Sequence, residues 1–193
     1  PMSKKGIALL LAAVMAFACT SALAATDVVI DTGLSEFDVH FTADMDVEIN
    51  SLAGDGYCLI TFGDVENQSP DQMVWLATIT VSDDTAFENK DLSDATDEQL
   101  SQLFNALVVA DEGGENPYTY DIMDMDDGVR ALSIVNKDTH EEAWVFTIEQ
   151  GVLVQVIGFY NDNRAVSDED IANAAKLMDA FKFIPADAAG LNK

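Results

Sequence analysis

The chain is poor in cysteine, histidine and basic residues, and each shortage excludes a class of protein. Its two cysteines are Cys19 and Cys58. We expect Cys19 to be lost with an N-terminal leader, so no internal disulfide can form in the mature chain. His40 and His140 stand far apart in the sequence and outside the spacings typical of zinc sites. Stability must therefore come from packing of the apolar residues.

Lysine and arginine together number 9, against 35 aspartates and glutamates, so the net charge is −26. A field of this sign repels the phosphates of nucleic acids and anionic lipid surfaces, and it favours cationic partners. We therefore expect no nucleic-acid binding, and a protein or another cationic molecule as partner. A solvated, colloidally stable surface and adaptation to salt are alternative explanations of the same composition.

The sequence also contains no GxSxG, GxxxxGK or GxGxxG spacing, so it has no signature of a nucleophilic serine, a phosphate loop or a dinucleotide site. Cys58 lies in YCLITF, where alternation places it on one face with Ile60 and Phe62, as a buried hydrophobe rather than a nucleophile. These absences predict a non-catalytic binding or structural module. The alternative is a carboxylate-based metal-binding or hydrolytic domain whose acids come together only in the fold.

The first 24 residues have the pattern of a secretory signal peptide. Lys4 and Lys5 form a basic start, residues 7–18 are apolar and uncharged, and Ala22-Leu23-Ala24 provides small residues for cleavage. The apolar run is shorter than the roughly 20 residues of a transmembrane helix. We therefore expect a secreted or extracytoplasmic protein, in the periplasm or at the cell surface, with no integral membrane segment after cleavage.

Cleavage after residue 24 leaves a single acidic domain of residues 25–193. It removes two of the 9 basic residues and none of the 35 acidic ones, so the net charge moves from −26 to −28. A lipoprotein with Cys19 as its first residue is an alternative, but Ala16 stands where such a signal prefers leucine. Pro1, which precedes Met2, is interpreted as an artefact of the gene sequence.

Alternating polar and apolar residues predict short strands in the first half of the mature chain, at 27–31, 36–41, 45–49, 57–62 and 73–81. Two hairpins are predicted later, with turns at Asp127-Gly128 and Gln150-Gly151. In these hairpins Asp126 would face Val129, and Glu149 would face Val152. The strands on either side of Gln150-Gly151 are almost wholly apolar, which indicates a central place in the sheet.

Two stretches have the helical period. Residues 96–110 begin with a capping box of Thr96 and Gln99, and residues 168–181 begin after Ser167 as N-cap. Their apolar stripes comprise Leu100, Leu103, Phe104, Leu107 and Val108 in the first, and Ile171, Ala174, Ala175, Met178 and Phe181 in the second. The predicted fold class is α+β, a single domain with an antiparallel β-sheet flanked by these two principal helices.

Residues 143–162, AWVFTIEQGVLVQVIGFYND, and 168–184, DEDIANAAKLMDAFKFI, resemble the end of the PsbP/Mog1-like family. In that family a late strand pair leads into an amphipathic helix and a terminal strand with aromatic residues. The resemblance implies an antiparallel sheet flanked by helices, serving in binding or assembly rather than catalysis. It carries no functional residue over to this chain.

The acidic stretch DIMDMDDG at residues 121–128 provides candidate metal ligands, namely Asp124, Asp126 and Asp127. It lacks the DxDxDG alternation and the final glutamate of a calcium-binding EF-hand loop. In the predicted hairpin Asp124 and Asp126 share one face and Asp121 points to the other, so three carboxylates do not converge easily. We therefore expect no cofactor, with calcium at this hairpin as the alternative, and no catalytic residue is predicted.

Overall fold

The computed structural model describes residues 26–34, 37–43, 47–54, 56–81, 91–108, 116–125 and 128–185. The predicted signal peptide lies outside these residues. The described strands are β1 Asp27–Ile30, β2 Phe37–Thr42, β3 Ile49–Gly54, β4 Tyr57–Phe62, β5 Met73–Val81, β6 Tyr118–Asp124, β7 Arg130–Asn136, β8 Glu142–Glu149, β9 Val152–Tyr160 and β10 Phe181–Pro185. The helices are α1 Asp97–Leu107 and α2 Asp168–Asp179, and a short 3₁₀ turn spans Leu92–Asp94.

The described strands form two antiparallel sheets. The larger sheet has seven strands in the order β3-β4-β5-β9-β8-β7-β6, and the smaller has three in the order β1-β2-β10. Strand β9 is the middle strand of the larger sheet, which confirms the central position predicted for the apolar strand pair. Strands β3 and β6 form its two edges.

The predicted α+β class, with a single sheet flanked by two helices, is wrong. About half of the described residues lie in strands and about a fifth in helices, and the strands divide into two sheets. The second helix ends at Asp179 rather than at 181, and Phe181 begins strand β10 instead of closing the helix stripe. In β10 the ring of Phe181 is buried and the next side chain, Lys182, is exposed, an alternation typical of a strand. Pairing of β10 with β2 creates the second sheet.

The predicted strands at 57–62 and 73–81 are confirmed as β4 and β5, and those at 27–31 and 36–41 agree with β1 and β2 to within a residue at each end. The strand predicted at 45–49 is wrong, because β3 begins only at Ile49 and continues to Gly54. Gly54 stands opposite Tyr57, and Gly56 between them has φ +79°. This tight turn pairs a polar, glycine-containing segment with β4, although the segment has little strand propensity of its own.

The two predicted hairpins have different outcomes. At Gln150-Gly151 the two-residue turn is confirmed, since Glu149 faces Val152 and both turn residues have positive φ, 53° and 77°. In the other hairpin Met125, and not Asp126, stands opposite Val129, with 2.8 Å from the Met125 N to the Val129 O. Gly128, at φ +77°, supplies the left-handed residue typical of a three-residue hairpin loop.

Both helices begin where their caps predict. The hydroxyl of Thr96 accepts from the N–H of Gln99, and that of Ser167 accepts from the N–H of Asp170, each with a reciprocal side-chain bond. Helix α1 ends at Leu107, short of the predicted 110. The structure describes no helix long and apolar enough to cross a membrane.

Two hydrophobic clusters lie on opposite faces of the seven-stranded sheet. The first cluster lies between one face of this sheet and the three-stranded sheet together with α2. The second cluster lies between the opposite face and α1 together with Leu92. In strand β8 Val145 belongs to the first cluster and the adjacent Phe146 to the second. Because neighbouring side chains of a strand point to opposite faces, β8 is buried on both sides, as its continuous apolar sequence predicts.

Candidate functional site

The predicted metal ligands lie at the end of the hairpin formed by β6 and β7. Asp124 ends β6, its side chain is 88% exposed, and its Oδ1 lies 3.9 Å from the Nε of Arg130. Asp126 and Asp127 lie outside the described residues. Among the described residues, no group of three or more His, Cys, Asp or Glu side chains is arranged to hold a metal ion. The calcium alternative therefore stays a prediction at this hairpin.

The structure places a histidine beside a carboxylate and a hydroxyl, a combination that the sequence pattern did not predict. His40 in β2 contacts the carboxylate of Asp27 through its Nε2, and the Oγ1 of Thr42 lies 3.3 Å from the same nitrogen. A catalytic triad needs the acid on one ring nitrogen and the hydroxyl on the other. Since both groups contact Nε2, this cluster cannot relay a proton in that way. It links β1 to β2, whose register places Asp27 opposite Thr42.

His140 is a turn residue. It lies exposed in the turn between β7 and β8 with φ +48°, where its N–H donates to the Asn136 carbonyl at 3.0 Å and its carbonyl accepts from the Val166 N–H at 2.7 Å. The first bond closes the turn, and the second joins the turn to the segment that precedes α2. The structure therefore places the two histidines in separate structural roles.

The carboxyl group of Asp38, which the sequence pattern also missed, has a raised pKa. Burial raises its pKa, and the nearby charge of Asp31 raises it further, while a hydrogen bond from the Thr32 backbone N–H opposes both effects. Asp38 is only 3% exposed. Strand alternation places it on the same face as the half-buried His40, so alternation does not predict its burial.

Cys58 lies near Asp31 as well. It is fully buried, and burial together with the charge of Asp31 raises the pKa of its thiol to about 12. The predicted burial of Cys58 with Ile60 and Phe62 is confirmed, since all three belong to the first cluster. A buried thiol with a raised pKa is a poor nucleophile, because the thiolate is the reactive form. Both Asp38 and Cys58 are therefore buried groups.

We expect replacement of Asp38 by Asn to stabilise the protein at pH 7. A carboxyl whose pKa is raised in the folded state favours folding only while protonated, and this contribution is lost as the pH rises through the folded-state pKa. Asn keeps an oxygen that accepts from the Thr32 N–H but carries no charge. The melting temperature at pH 7 should rise by on the order of 2 °C, and the difference should disappear below the unfolded-state pKa of about 3.9. A variant less stable than the parent at pH 7 would show that the ionised carboxylate is favourable, and Asp31→Asn should give a smaller gain.

We expect the Cys58 thiol to react at least about 100-fold more slowly in the folded than in the urea-unfolded protein, since reaction requires local opening of the sheet. Alkylation followed by peptide mass mapping measures the rate at Cys58 alone. The control is Ser51→Cys in a Cys58→Ala background, because Ser51 is exposed on the neighbouring strand, opposite Ile60. Equal rates at Cys58 in the two states would contradict its place in the core.

The loop between β9 and α2 is held by a local polar network. Arg164 donates to both carboxylate oxygens of Asp162 and lies over the ring of Tyr160 at 4.9 Å, and the Tyr160 hydroxyl lies 3.3 Å from the Asp170 Oδ1. The hydrogen bonds from Arg164 hold the pKa of Asp162 below its usual range. Asn163 adopts φ +59°, as expected for a turn former. This network links the end of β9 to the start of α2.

The other described acidic side chains lie at the protein surface. Within the described ranges, every Asp and Glu other than Asp38 is at least partly exposed to solvent. Comparisons of the chain with protein-family models, with curated proteins and with solved structures found no match. What the protein does must therefore be inferred from this surface and from the strands that carry it.

Proposed function

We propose that the protein is an exported, non-catalytic binding module that recognises a protein or another partner with a basic surface. The observation that carries the proposal is the charge of −26 together with the exposure of every described carboxylate except that of Asp38. Exposed charges of one sign steer an oppositely charged partner and contribute mainly to the rate of association.

The state of the reactive groups supports a binding role. The described thiol is buried, the described His40 cluster has both partners on one nitrogen, and the carboxyl with the raised pKa is enclosed. The resemblance of the C-terminal region to the PsbP/Mog1-like family favours a role in binding or assembly as well.

The alternative is a carboxylate-based metal-binding or hydrolytic domain. The raised pKa of Asp38 favours it, since carboxyl groups with perturbed pKa values are common at acid–base sites. The burial of Asp38 weighs against it. Turnover of a glycan, peptide or ester that is lost in Asp38→Asn would establish a hydrolase. A saturable calcium titration that is lost in Asp124→Asn would establish a metal site.

The proposal is tested by capturing partners of the tagged protein from the exported fraction of its own cells and measuring their association rates. We expect a basic partner whose association rate falls at least about 10-fold between 50 mM and 500 mM salt, because screening shortens the reach of the field. An association rate that is indifferent to salt would contradict electrostatic recognition. Failure to capture any partner would contradict the binding role.

Export makes a separate prediction. The mature chain should begin at Ala25, because Ala22 and Ala24 satisfy the small-residue rule of cleavage. Intact-mass measurement of protein recovered outside the cytoplasm decides this. A lipid-modified chain beginning at Cys19 would show that the lipoprotein alternative holds, and a chain that keeps residues 1–24 would contradict export by cleavage.

A further inference from the structure

Strand β6 is an open edge of the seven-stranded sheet, since β7 is the one described strand that pairs with it. The Met125 N–H donates to the Val129 carbonyl at 2.8 Å, and the Lys137 N–H donates to the Pro117 carbonyl at 2.8 Å. Hydrogen-bonded residues alternate along an antiparallel strand, so these two bonds set the phase of the whole pair. The odd-numbered residues of β6 bond to β7, and the backbone groups of Tyr120 and Ile122 point outward.

The side chains of this edge combine apolar surface with negative charge. Ile122 is 46% exposed and, with Val81, is one of two large apolar side chains exposed in the described part of the chain. Asp121 is exposed on one face of the strand. Asp124 is exposed on the other face, which it shares with Ile122. An edge is usually protected by proline, by charged side chains, above all lysine, by a bulge or by short length. The charged residues of β6 are the acidic Asp121 and Asp124, which repel other acidic strands but not basic ones. The seven residues of β6 contain neither proline nor lysine.

A second copy of the same chain is a poor occupant of this edge. If two β6 strands paired antiparallel over their full length, Asp121 at the middle of one would stand directly opposite Asp121 of the other. Like charges in directly opposed positions destabilise a strand pair. The carboxylates of Asp121 and Asp124 of a single chain instead favour an opposite strand that carries lysine or arginine.

The other edges are less available. Strand β3, INSLAG, contains no carboxylate, so it offers a basic partner no opposite charge. Strand β1 has only four residues, and β10 contains Lys182 and ends at Pro185. Short length, lysine and proline are the features that protect an edge from pairing.

We propose that β6 is a docking edge, to which an extended basic segment of the partner protein adds as an antiparallel eighth strand. The inference rests on the proposed binding function and specifies where the partner binds. The main-chain groups of the partner segment bond to those of Tyr120 and Ile122. Basic side chains of the segment lie opposite Asp121 and Asp124, and one of its apolar side chains covers Ile122. Strand addition of this kind takes its affinity from main-chain hydrogen bonds and its specificity from alternate side chains.

The probe is a fluorescent peptide, Thr-Lys-Thr-Val-Lys-Val-Thr, which is designed to pair antiparallel with residues 119–125, so that its lysines fall opposite Asp124 and Asp121 and its first valine falls opposite Ile122. Its control carries glutamate at both lysine positions. We expect saturable binding of the basic peptide to the whole purified protein, at least about 10-fold tighter than that of the control and weakened by salt. Absence of saturable binding, or equal binding of the two peptides, would overturn the proposal.

The matched variants are Ile122→Pro and Ile122→Val. Proline at 122 removes an N–H that points outward and leaves the ladder between β6 and β7 intact, so the fold tolerates it as an edge substitution. Binding should fall at least 10-fold in Ile122→Pro and stay within about twofold in Ile122→Val. Circular dichroism and the melting temperature check that each variant is folded. If the proline variant does not fold, the parent protein is tested with a peptide N-methylated at the valine opposite Ile122, which should lose binding for the same reason.

The two proposals fail in different ways. If the basic partner captured from cells still binds Ile122→Pro with the affinity of the parent, the docking edge is wrong and the binding function stands. If no basic partner is captured, the binding function itself is wrong.

Discussion

Replacing Phe41 by alanine should cost about 3–5 kcal/mol of the free energy of unfolding, the usual loss for a fully buried phenylalanine. The side chain of Phe41 in β2 is completely buried, with its ring centroid 4.9 Å from that of Phe181 in β10 and 5.4 Å from that of Phe62 in β4. It therefore fills the space between the two sheets. A domain is typically stable by only about 5–15 kcal/mol, so this one substitution removes much of the total.

Urea unfolding followed by fluorescence measures this loss. The control is Phe183→Ala, because Phe183 lies in β10 of the same small sheet but is only half-buried, with its ring 5.1 Å from that of Phe37. We expect about half the loss there, in proportion to the smaller area that is buried. If the two substitutions cost the same, Phe41 is not the residue that joins the sheets.

Replacing Gly158 by alanine should destabilise the protein by about 1–3 kcal/mol, although alanine in a strand normally costs less conformational entropy than glycine. Gly158 in β9 stands opposite Trp75 in β5. A Cβ at position 158 would lie 2.7 Å and 2.9 Å from the Cε3 and Cη2 atoms of the Trp75 ring. The indole, which packs against the first cluster, must therefore shift from its place.

A double-mutant cycle separates this clash from other effects. In a Trp75→Ala background the ring is absent, so Gly158→Ala should be neutral or slightly stabilising. The coupling energy between the two positions is then at least about 1 kcal/mol. The same loss in both backgrounds would show that position 158 needs glycine for its backbone rather than for the space that the ring occupies.

The sequence predicts that the candidate site is an acidic surface, but it does not predict which carboxylate is buried. The sign and size of the charge and the alternation around Cys58 are local or additive properties, and they predict an acidic surface and a buried thiol. Which carboxylate is buried is not local. Asp38 has the same position in its strand alternation as the half-buried His40, and its pKa is raised by burial and by the charge of Asp31, both of which depend on how separate parts of the chain fold together.

Local sequence determined the parts of the fold whose energy comes from neighbouring residues. The capping boxes at Thr96 and Ser167 begin the two helices, and Gln150-Gly151 forms the predicted turn, because each needs only a few adjacent residues to satisfy its backbone. The division into two sheets was decided by tertiary structure. Phe181 continues a helical pattern and also starts a strand pattern, and its pairing opposite Phe41 in β2 selects the strand. The same long-range pairing leaves β6 at an edge, since the place of a strand in a sheet depends on which distant segments pair and not on its own residues.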